Sequence, residues 1–288
     1  MGDGVESASL TKTVITGQNK GVGVYAVGGE NLVMRLENVT VGGVGAGVKV
    51  MGGKKLVISG SSTVNFMGEY GVYVGDGVKS AELTGTVIKG QNNGVGVYAV
   101  GTEKMTMTLT DVTISEVGAG VYVKRGKSLT IGGENSTISF TGDYGVKVEG
   151  LMAAHLVKTR IVGTGSGQGK NNGVSVGVYA VGTKDMTMTL TDVTISEVQT
   201  GVVVVAGENL TMTGGSIKEV QTGIAMSGSG KLVVEKETRI EFTDGYGVIV
   251  GDKVTAKLTE TKITGSGTGV YVGGGKVELS GVKIEGDG

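Results

Sequence analysis

The chain repeats itself, and this internal repetition limits the folds that are open to it. The segment MTMTLTDVTISEV at 105–117 returns at 186–198, and GVGVYAVG at 21–28 returns at 94–101. Shorter units of 20 to 27 residues recur within these long repeats, together with one unit of 34 residues. A unit of that length is too short to bury a core of its own, so we expect neighbouring units to stack as a solenoid.

Two sequence markers define each unit. One is a leucine that recurs once per unit within a short strand-like stretch, and we expect these leucines to form one inward column. They are Leu10, Leu36, Leu56, Leu83, Leu109, Leu129, Leu156, Leu190, Leu210, Leu232, Leu258 and Leu279. The other marker is Gly-Val-x-Val or a close variant. It begins at Gly23, Gly47, Gly71, Gly96, Gly120, Gly145, Gly177, Gly201, Gly223, Gly247 and Gly269.

The residues between the markers are β-branched and alternate with a period of two, which is typical of strands. Three short strands a unit predict an all-β, right-handed, parallel β-helix with three sides and about twelve coils. Glycine makes up 57 of the 288 residues, and the glycines at the corners are expected to supply positive φ. The absence of proline suits strands in which nearly every N–H group bonds to the next coil. The pattern of a leucine-rich repeat, the rival solenoid, is missing. The glycine-rich stretch 163–173 is expected to be a flexible protrusion.

Charge and apolar length exclude several classes of protein. Lys plus Arg number 26 and Asp plus Glu 27, so the net charge of −1 gives no reason to expect nucleic acid or an anionic membrane as a partner. The longest apolar run is 202–206, whereas a membrane-spanning helix needs about 20 residues. No signal peptide is visible, and the last coil has no polar cap. We therefore expect 1–288 to be a single domain cut from a longer solenoid.

The acidic residues do not predict an active site. Polysaccharide lyases and hydrolases share the β-helical architecture and place acids on neighbouring coils. Here Asp111 and Asp192 share a coil position but lie three coils apart, and we expect no stacked acids on adjacent coils. His155 is the single histidine and is expected at a surface or corner position. We predict no catalytic residues and no metal site, and expect the protein not to be an enzyme.

The glycine motifs do not predict a cofactor. Gly21-x-Gly23-x-x-Ala26 matches a loose dinucleotide fingerprint, but that fingerprint needs a helix after the glycines, and strands are expected here. No cofactor-binding residue is therefore predicted.

One outer surface is unusual in its composition. In Gly-Val-x-Val both valines should face the core, which turns x towards solvent. The x residues include six of the nine tyrosines together with two lysines: Tyr25, Lys49, Tyr73, Tyr98, Tyr122, Lys147, Tyr179 and Tyr271. Two interpretations are compatible with each other. The residues form an aromatic ladder that stabilises the stacked strands, or they form a partner-binding wall, since tyrosine and cationic side chains are enriched at interface hot spots.

The repeats GVYAV at 23–27, LTDVTIS at 109–115 and VGAGV at 117–121 resemble the passenger repeats of Bartonella autotransporters. The resemblance extends from about residue 10 to residue 284. It implies a fragment that is secreted or displayed on the bacterial surface, without the signal peptide and C-terminal barrel of the whole protein. It also implies a proangiogenic ligand that activates a vascular endothelial growth factor receptor on endothelial cells. The alternative is an adhesin or self-associating passenger that binds host surface or matrix without signalling.

Overall fold

A computed structural model describes residues 5–164, 175–182, 185–206 and 209–286. These residues form strands and turns and contain no helix, and therefore no helical membrane span. The chain divides into two compact units, Met1–Gly142 (unit 1) and Asp143–Gly288 (unit 2). Nearly all of the predicted protrusion at 163–173 lies outside the described residues.

Unit 1 consists of twelve strands among the described residues. They are β1 (Ser7–Thr11), β2 (Val14–Thr16), β3 (Val22–Ala26), β4 (Val33–Glu37), β5 (Thr40–Val44), β6 (Ala46–Ser59), β7 (Thr63–Phe66), β8 (Tyr70–Thr84), β9 (Val87–Val100), β10 (Thr106–Thr110), β11 (Thr113–Gly132) and β12 (Thr137–Phe140).

Unit 2 contains fourteen strands within its described part. They are β13 (Tyr144–Val157), β14 (Arg160–Gly163), β15 (Val176–Val181), β16 (Thr187–Thr191), β17 (Thr194–Val205), β18 (Asn209–Thr213), β19 (Ser216–Ser227), β20 (Gly230–Glu235), β21 (Arg239–Val250), β22 (Val254–Thr259), β23 (Lys262–Gly265), β24 (Thr268–Val272), β25 (Lys276–Ser280) and β26 (Lys283–Glu285).

Parallel pairing stacks these strands into three walls in each unit. In unit 1, wall A begins with β1 on β4, wall B with β2 on β5, and wall C with β3 on the first part of β6. In unit 2, the corresponding pairs are β13 on β16, β14 on β17, and the first part of β13 on β15. Long strands such as β6 and β8 bend round a corner and contribute to two walls. The predicted three-sided parallel β-helix is therefore confirmed.

The leucine marker combines two inward columns of wall A, so the prediction of one column was wrong. Leu10 lies in register with Leu36, and Leu36 with Ile58, whereas Leu56 lies in register with Met34. Both columns face the core because inward residues of a strand are two positions apart. The marker leucines of the second column are Leu56, Leu129, Leu210 and Leu232.

Glycines at corners between strands supply positive φ as predicted, such as Gly85 (59°) and Gly214 (66°). The glycines of Gly-Val-x-Val have a different role, because they pack inside the β-helix. Gly201 is buried and has no left-handed φ. A Cβ atom there would lie 2.5 Å from Cγ2 of Ile217 and 2.6 Å from the carbonyl oxygen of Gly223. Wall C therefore passes so close to wall B that a side chain larger than hydrogen does not fit.

Hydroxyl groups satisfy backbone carbonyls at the buried entrance to wall B. Ser62 is 1% exposed and its Oγ donates to the carbonyl oxygen of Ser59 at 2.7 Å. The Thr238 hydroxyl, fully buried, donates to the carbonyl oxygen of Glu235 at the same distance. A buried polar group without a partner is costly, so these short side chains allow the chain to turn inside the core.

Candidate interaction surface

The predicted outer residues of unit 1 lie in register on wall C. Tyr25 pairs with Lys49, Lys49 with Tyr73, Tyr73 with Tyr98 and Tyr98 with Tyr122. The valine or alanine on either side of each is buried, so the five side chains point outward. Tyr25 is 53% exposed and the other four are half-buried. These five residues are the outer column of unit 1.

The side chains of this column contact one another. The Lys49 ammonium nitrogen lies 5.8 Å from the ring centroid of Tyr25 and 5.3 Å from that of Tyr73. The ring centroids of Tyr73 and Tyr98 are 5.6 Å apart, and those of Tyr98 and Tyr122 are 5.0 Å apart. Aromatic pairs at such distances contribute about 0.5–1.5 kcal/mol each beyond the area they bury, and exposed cation–π contacts about 0.5–1 kcal/mol.

Sequence reasoning missed Tyr70, which joins this column from three residues earlier on the same strand. Its ring stacks on Tyr98 at 5.3 Å with an interplanar angle of 15° and lies 5.2 Å from Tyr73. Strict alternation would turn Tyr70 inward, but Gly71 and Val72 are both buried, so residues on either side of them face outward. The recurring triplet Tyr-Gly-Val, which begins at Tyr70, Tyr144 and Tyr246, was the available signal.

The outer column of unit 2 is more varied. Lys147 pairs with Tyr179, and Tyr179 with Val203, after which the column continues through Ala225 and Ile249 to Tyr271. The second tyrosines again join from three residues earlier. The rings of Tyr144 and Tyr179 lie 5.4 Å apart, and those of Tyr246 and Tyr271 lie 5.6 Å apart. Unit 2 thus has two aromatic pairs separated by three aliphatic residues.

Lys147 differs from Lys49 in its electrostatic environment. Its ammonium nitrogen lies 2.8 Å from the Glu149 carboxylate and 4.9 Å from the ring centroid of Tyr144. Burial alone lowers the pKa of Lys147, but the hydrogen bond and charge of Glu149 outweigh burial, so the pKa is raised. The Lys147 charge is therefore already matched by a carboxylate within its own strand.

Comparison with known proteins agrees with this architecture. Residues 21–184 match the family model described as a right-handed β-helix region, and residues 93–238 match it again. The chain belongs to the right-handed β-helix family. The two matches are offset by 72 residues, which is close to the 73-residue spacing of the GVGVYAVG repeat. No curated protein matches the chain, and no solved structure matches it.

Some acids of this β-helix lie at corners between strands and serve the backbone there, whereas others, such as Glu82, lie within strands. Asp111 has a left-handed φ of 52°, and its Oδ1 accepts a hydrogen bond from the backbone N–H of Asn135 at 3.0 Å. Asp192 adopts the same backbone conformation. The expectation that no acids stack on adjacent coils was wrong. Glu197 and Glu219 occupy equivalent corner positions on adjacent turns, since the residues that flank them are in register.

The remaining candidates for chemistry are scattered among the described residues. His155 lies in a strand on the outer side of wall A, half-buried and in register with Thr189. Among the described residues, no group of three or more His, Cys, Asp or Glu side chains is placed to hold a metal ion. A cavity of about 370 Å³ in unit 1 is lined by residues that include Asn19, Asn65 and Gln91.

Raising the pH above 10.0, the ordinary pKa of tyrosine, is expected to destabilise unit 1 because of Tyr70 and Tyr73. Burial raises the pKa of Tyr70 and of Tyr73, and the charges of Glu69 and Asp76 respectively raise it further. A raised pKa in the folded state means that this stabilisation is complete below the ordinary value of 10.0 and is lost as the pH rises through the raised values. The measurement is the thermal midpoint by far-UV circular dichroism against pH. The variant Tyr70→Phe/Tyr73→Phe should show a flatter alkaline decline, and an equally steep decline would contradict the assignment.

Proposed function

We propose that the chain is a secreted β-helical passenger that binds a protein on host cells through its outer tyrosine and lysine side chains. The first candidate partner is a vascular endothelial growth factor receptor on endothelial cells, which the protein would activate as a proangiogenic ligand. The receptor comes from the resemblance to autotransporter passengers. The binding surface comes from the geometry of wall C.

The observation that carries the proposal is the tyrosine cluster of unit 1, which consists of the outer column and Tyr70 and so contains five tyrosines and one lysine. Large, rigid aromatic side chains dominate the energetics of protein interfaces because they bury much area at low entropic cost. Here the rings of Tyr70, Tyr73, Tyr98 and Tyr122 are already ordered by contacts with one another. A partner therefore meets a surface whose side chains lose little further freedom on binding.

Binding, and not catalysis, is the function proposed. The site is the outer face of paired strands and presents phenol and ammonium groups, which suit recognition. In unit 1, Asp111 is committed to the backbone of the next turn. In unit 2, His155 lies on the outer side of wall A, in register with Thr189. The β-helix fold by itself does not separate enzymes from binding proteins, so the proposal depends on the surface.

The alternative is an adhesin that binds host surface or matrix without signalling. The repetition of the motif favours it, because unit 2 carries a second lysine between tyrosines, Lys147 with Tyr144 and Tyr179. Repeated weak contacts increase avidity when several engage the same surface. An agonist and an adhesin are separated by adding the soluble protein to endothelial cells. An agonist triggers receptor phosphorylation at low concentration, whereas an adhesin only coats the cells.

Replacing Tyr73, Tyr98 and Tyr122 by serine together is expected to weaken binding to the receptor ectodomain by at least ~100-fold, since hot-spot residues each cost ~2 kcal/mol or more. Surface plasmon resonance gives the Kd, and far-UV circular dichroism shows that the sheet is retained. The control variant replaces Tyr179, Tyr246 and Tyr271 by serine and removes as many rings from unit 2. A folded unit 1 variant that binds as the wild type does would remove this surface from the proposal.

A further inference from the structure

We infer that Lys49 binds a carboxylate of the protein partner. In this arrangement the tyrosine rings on either side of Lys49 pack against the apolar neighbours of that acidic residue. This inference rests on the proposed function and assigns the partner's chemistry at the same surface. The occupant is an acidic protein segment in which one carboxylate is flanked by apolar side chains.

The position of Lys49 is fixed by the strands on either side of it. It lies in the 46–50 segment of wall C, half-buried, with Tyr25 on one neighbouring turn and Tyr73 on the other. Its ammonium group faces both rings, at 5.8 and 5.3 Å from their centroids. The π faces attract the cation but accept no strong hydrogen bond, so the N–H donors stay available to an anion.

The charge of Lys49 is unmatched within the described part of the chain, where it forms no ion pair. Several other lysines that face outward pair with a carboxylate on the next turn, such as Lys55 with Glu82 at 2.6 Å and Lys89 with Glu116 at 2.9 Å. Lys147, at the equivalent place in unit 2, pairs with Glu149. A half-buried cation among aromatic rings and without its own counter-ion is a ready site for a partner's anion.

The arrangement favours an acidic protein segment over a sulfated polysaccharide. Among the residues of the outer column of unit 1, Lys49 is the one that carries a positive charge, whereas a polyanionic chain is bound by rows of cations. Two carboxylates also act on this surface, because the charge of Glu69 raises the pKa of the Tyr70 phenol and that of Asp76 raises the pKa of the Tyr73 phenol, after burial in both cases. These carboxylates would repel a dense polyanion but leave room for one carboxylate at Lys49.

The test uses two probes with the full chain. One is the receptor ectodomain. The other is a short synthetic peptide with one glutamate between two phenylalanines, compared with its twin that carries glutamine, and titrated while the tyrosine ring signals are followed by NMR. We expect the wild type to prefer the glutamate peptide by ~5-fold or more and Lys49→Met to lose that preference. Lys49→Arg should keep it, and Lys147→Met, whose parent charge is already paired, should keep it as well.

The two probes separate the possible failures. The inference and the proposed function are supported together if Lys49→Met loses receptor binding and the salt dependence of that binding. Lys147→Met should keep the binding and its salt dependence. A wild type that ignores the receptor but prefers the glutamate peptide through Lys49 contradicts the proposed receptor and keeps the inference. Equal binding of the two peptides, or binding of heparin through Lys49 without a peptide preference, overturns the inference.

Discussion

Phe66→Ala is expected to lower the free energy of unfolding of unit 1 by about 3–5 kcal/mol. Phe66 is 1% exposed and ends β7 at the corner between walls B and C. Its ring fills space that three glycines leave open, because Cβ atoms at Gly71, Gly90 and Gly94 would lie within 3.1 Å of it. Backbone surrounds much of the ring, and backbone held in a sheet ladder does not collapse into the cavity that alanine would leave.

The measurement is urea unfolding followed by far-UV circular dichroism. Phe66→Leu fills most of the volume and is expected to lose less than half as much stability. The neighbours of Phe66 on the adjoining turns explain why side chains of other sizes fit poorly. Val44 is its register partner on the preceding turn, and Gly90 lies beside its ring on the next turn. A Phe66→Ala variant as stable as Phe66→Leu would show that the corner relaxes, contrary to this account.

Gly201→Ala is expected to destabilise unit 2 by about 1–3 kcal/mol through overpacking. A methyl group there would overlap Cγ2 of Ile217 and the carbonyl oxygen of Gly223, at 2.5 and 2.6 Å. Both atoms belong to β19, which is paired with β17 along its length, so relief requires β19 to shift relative to β17. Repair by Ile217→Val would keep Cγ2, so the strain is expected to persist in the double variant.

The matched control is Gly29→Ala, in which the same methyl group is added where nothing lies within 4 Å. Both substitutions reduce the freedom of the unfolded chain by the same amount, so their difference reports the folded state alone. The control should be neutral or stabilising by up to about 1 kcal/mol. Equal thermal midpoints for the two variants would refute the steric role assigned to the inward glycines.

Many features of the fold could be predicted because they depend on local periodicity. Alternation of apolar and other residues with a period of two identifies strands, and short units repeated along the chain must stack to bury their apolar faces. The same alternation predicted that Tyr25, Lys49, Tyr73, Tyr98 and Tyr122 share one outer face, and the register places them there. Whether that face binds a partner stays a prediction.

Other features depend on contacts between turns, which local periodicity does not encode. A leucine two positions early along a strand still points inward, so sequence spacing did not distinguish the column of Leu36 from that of Leu56. Gly201 looks like a corner residue by its type, but the closeness of walls B and C is what requires it. Tyr70 faces outward only because Gly71, which has no side chain, is buried beside Val72.

The sequence by itself therefore determined the strands, the stacking of repeated coils and the existence of an outer row of tyrosine and lysine. Only the tertiary structure decided which side chains meet across turns, and with them which cation has a counter-ion. Lys49 and Lys147 have the same place in the repeat, yet only Lys147 has a glutamate within reach at 2.8 Å. The physical reason is that the orientation of a side chain follows from its own strand, whereas its electrostatic partner depends on the folded positions of the groups around it.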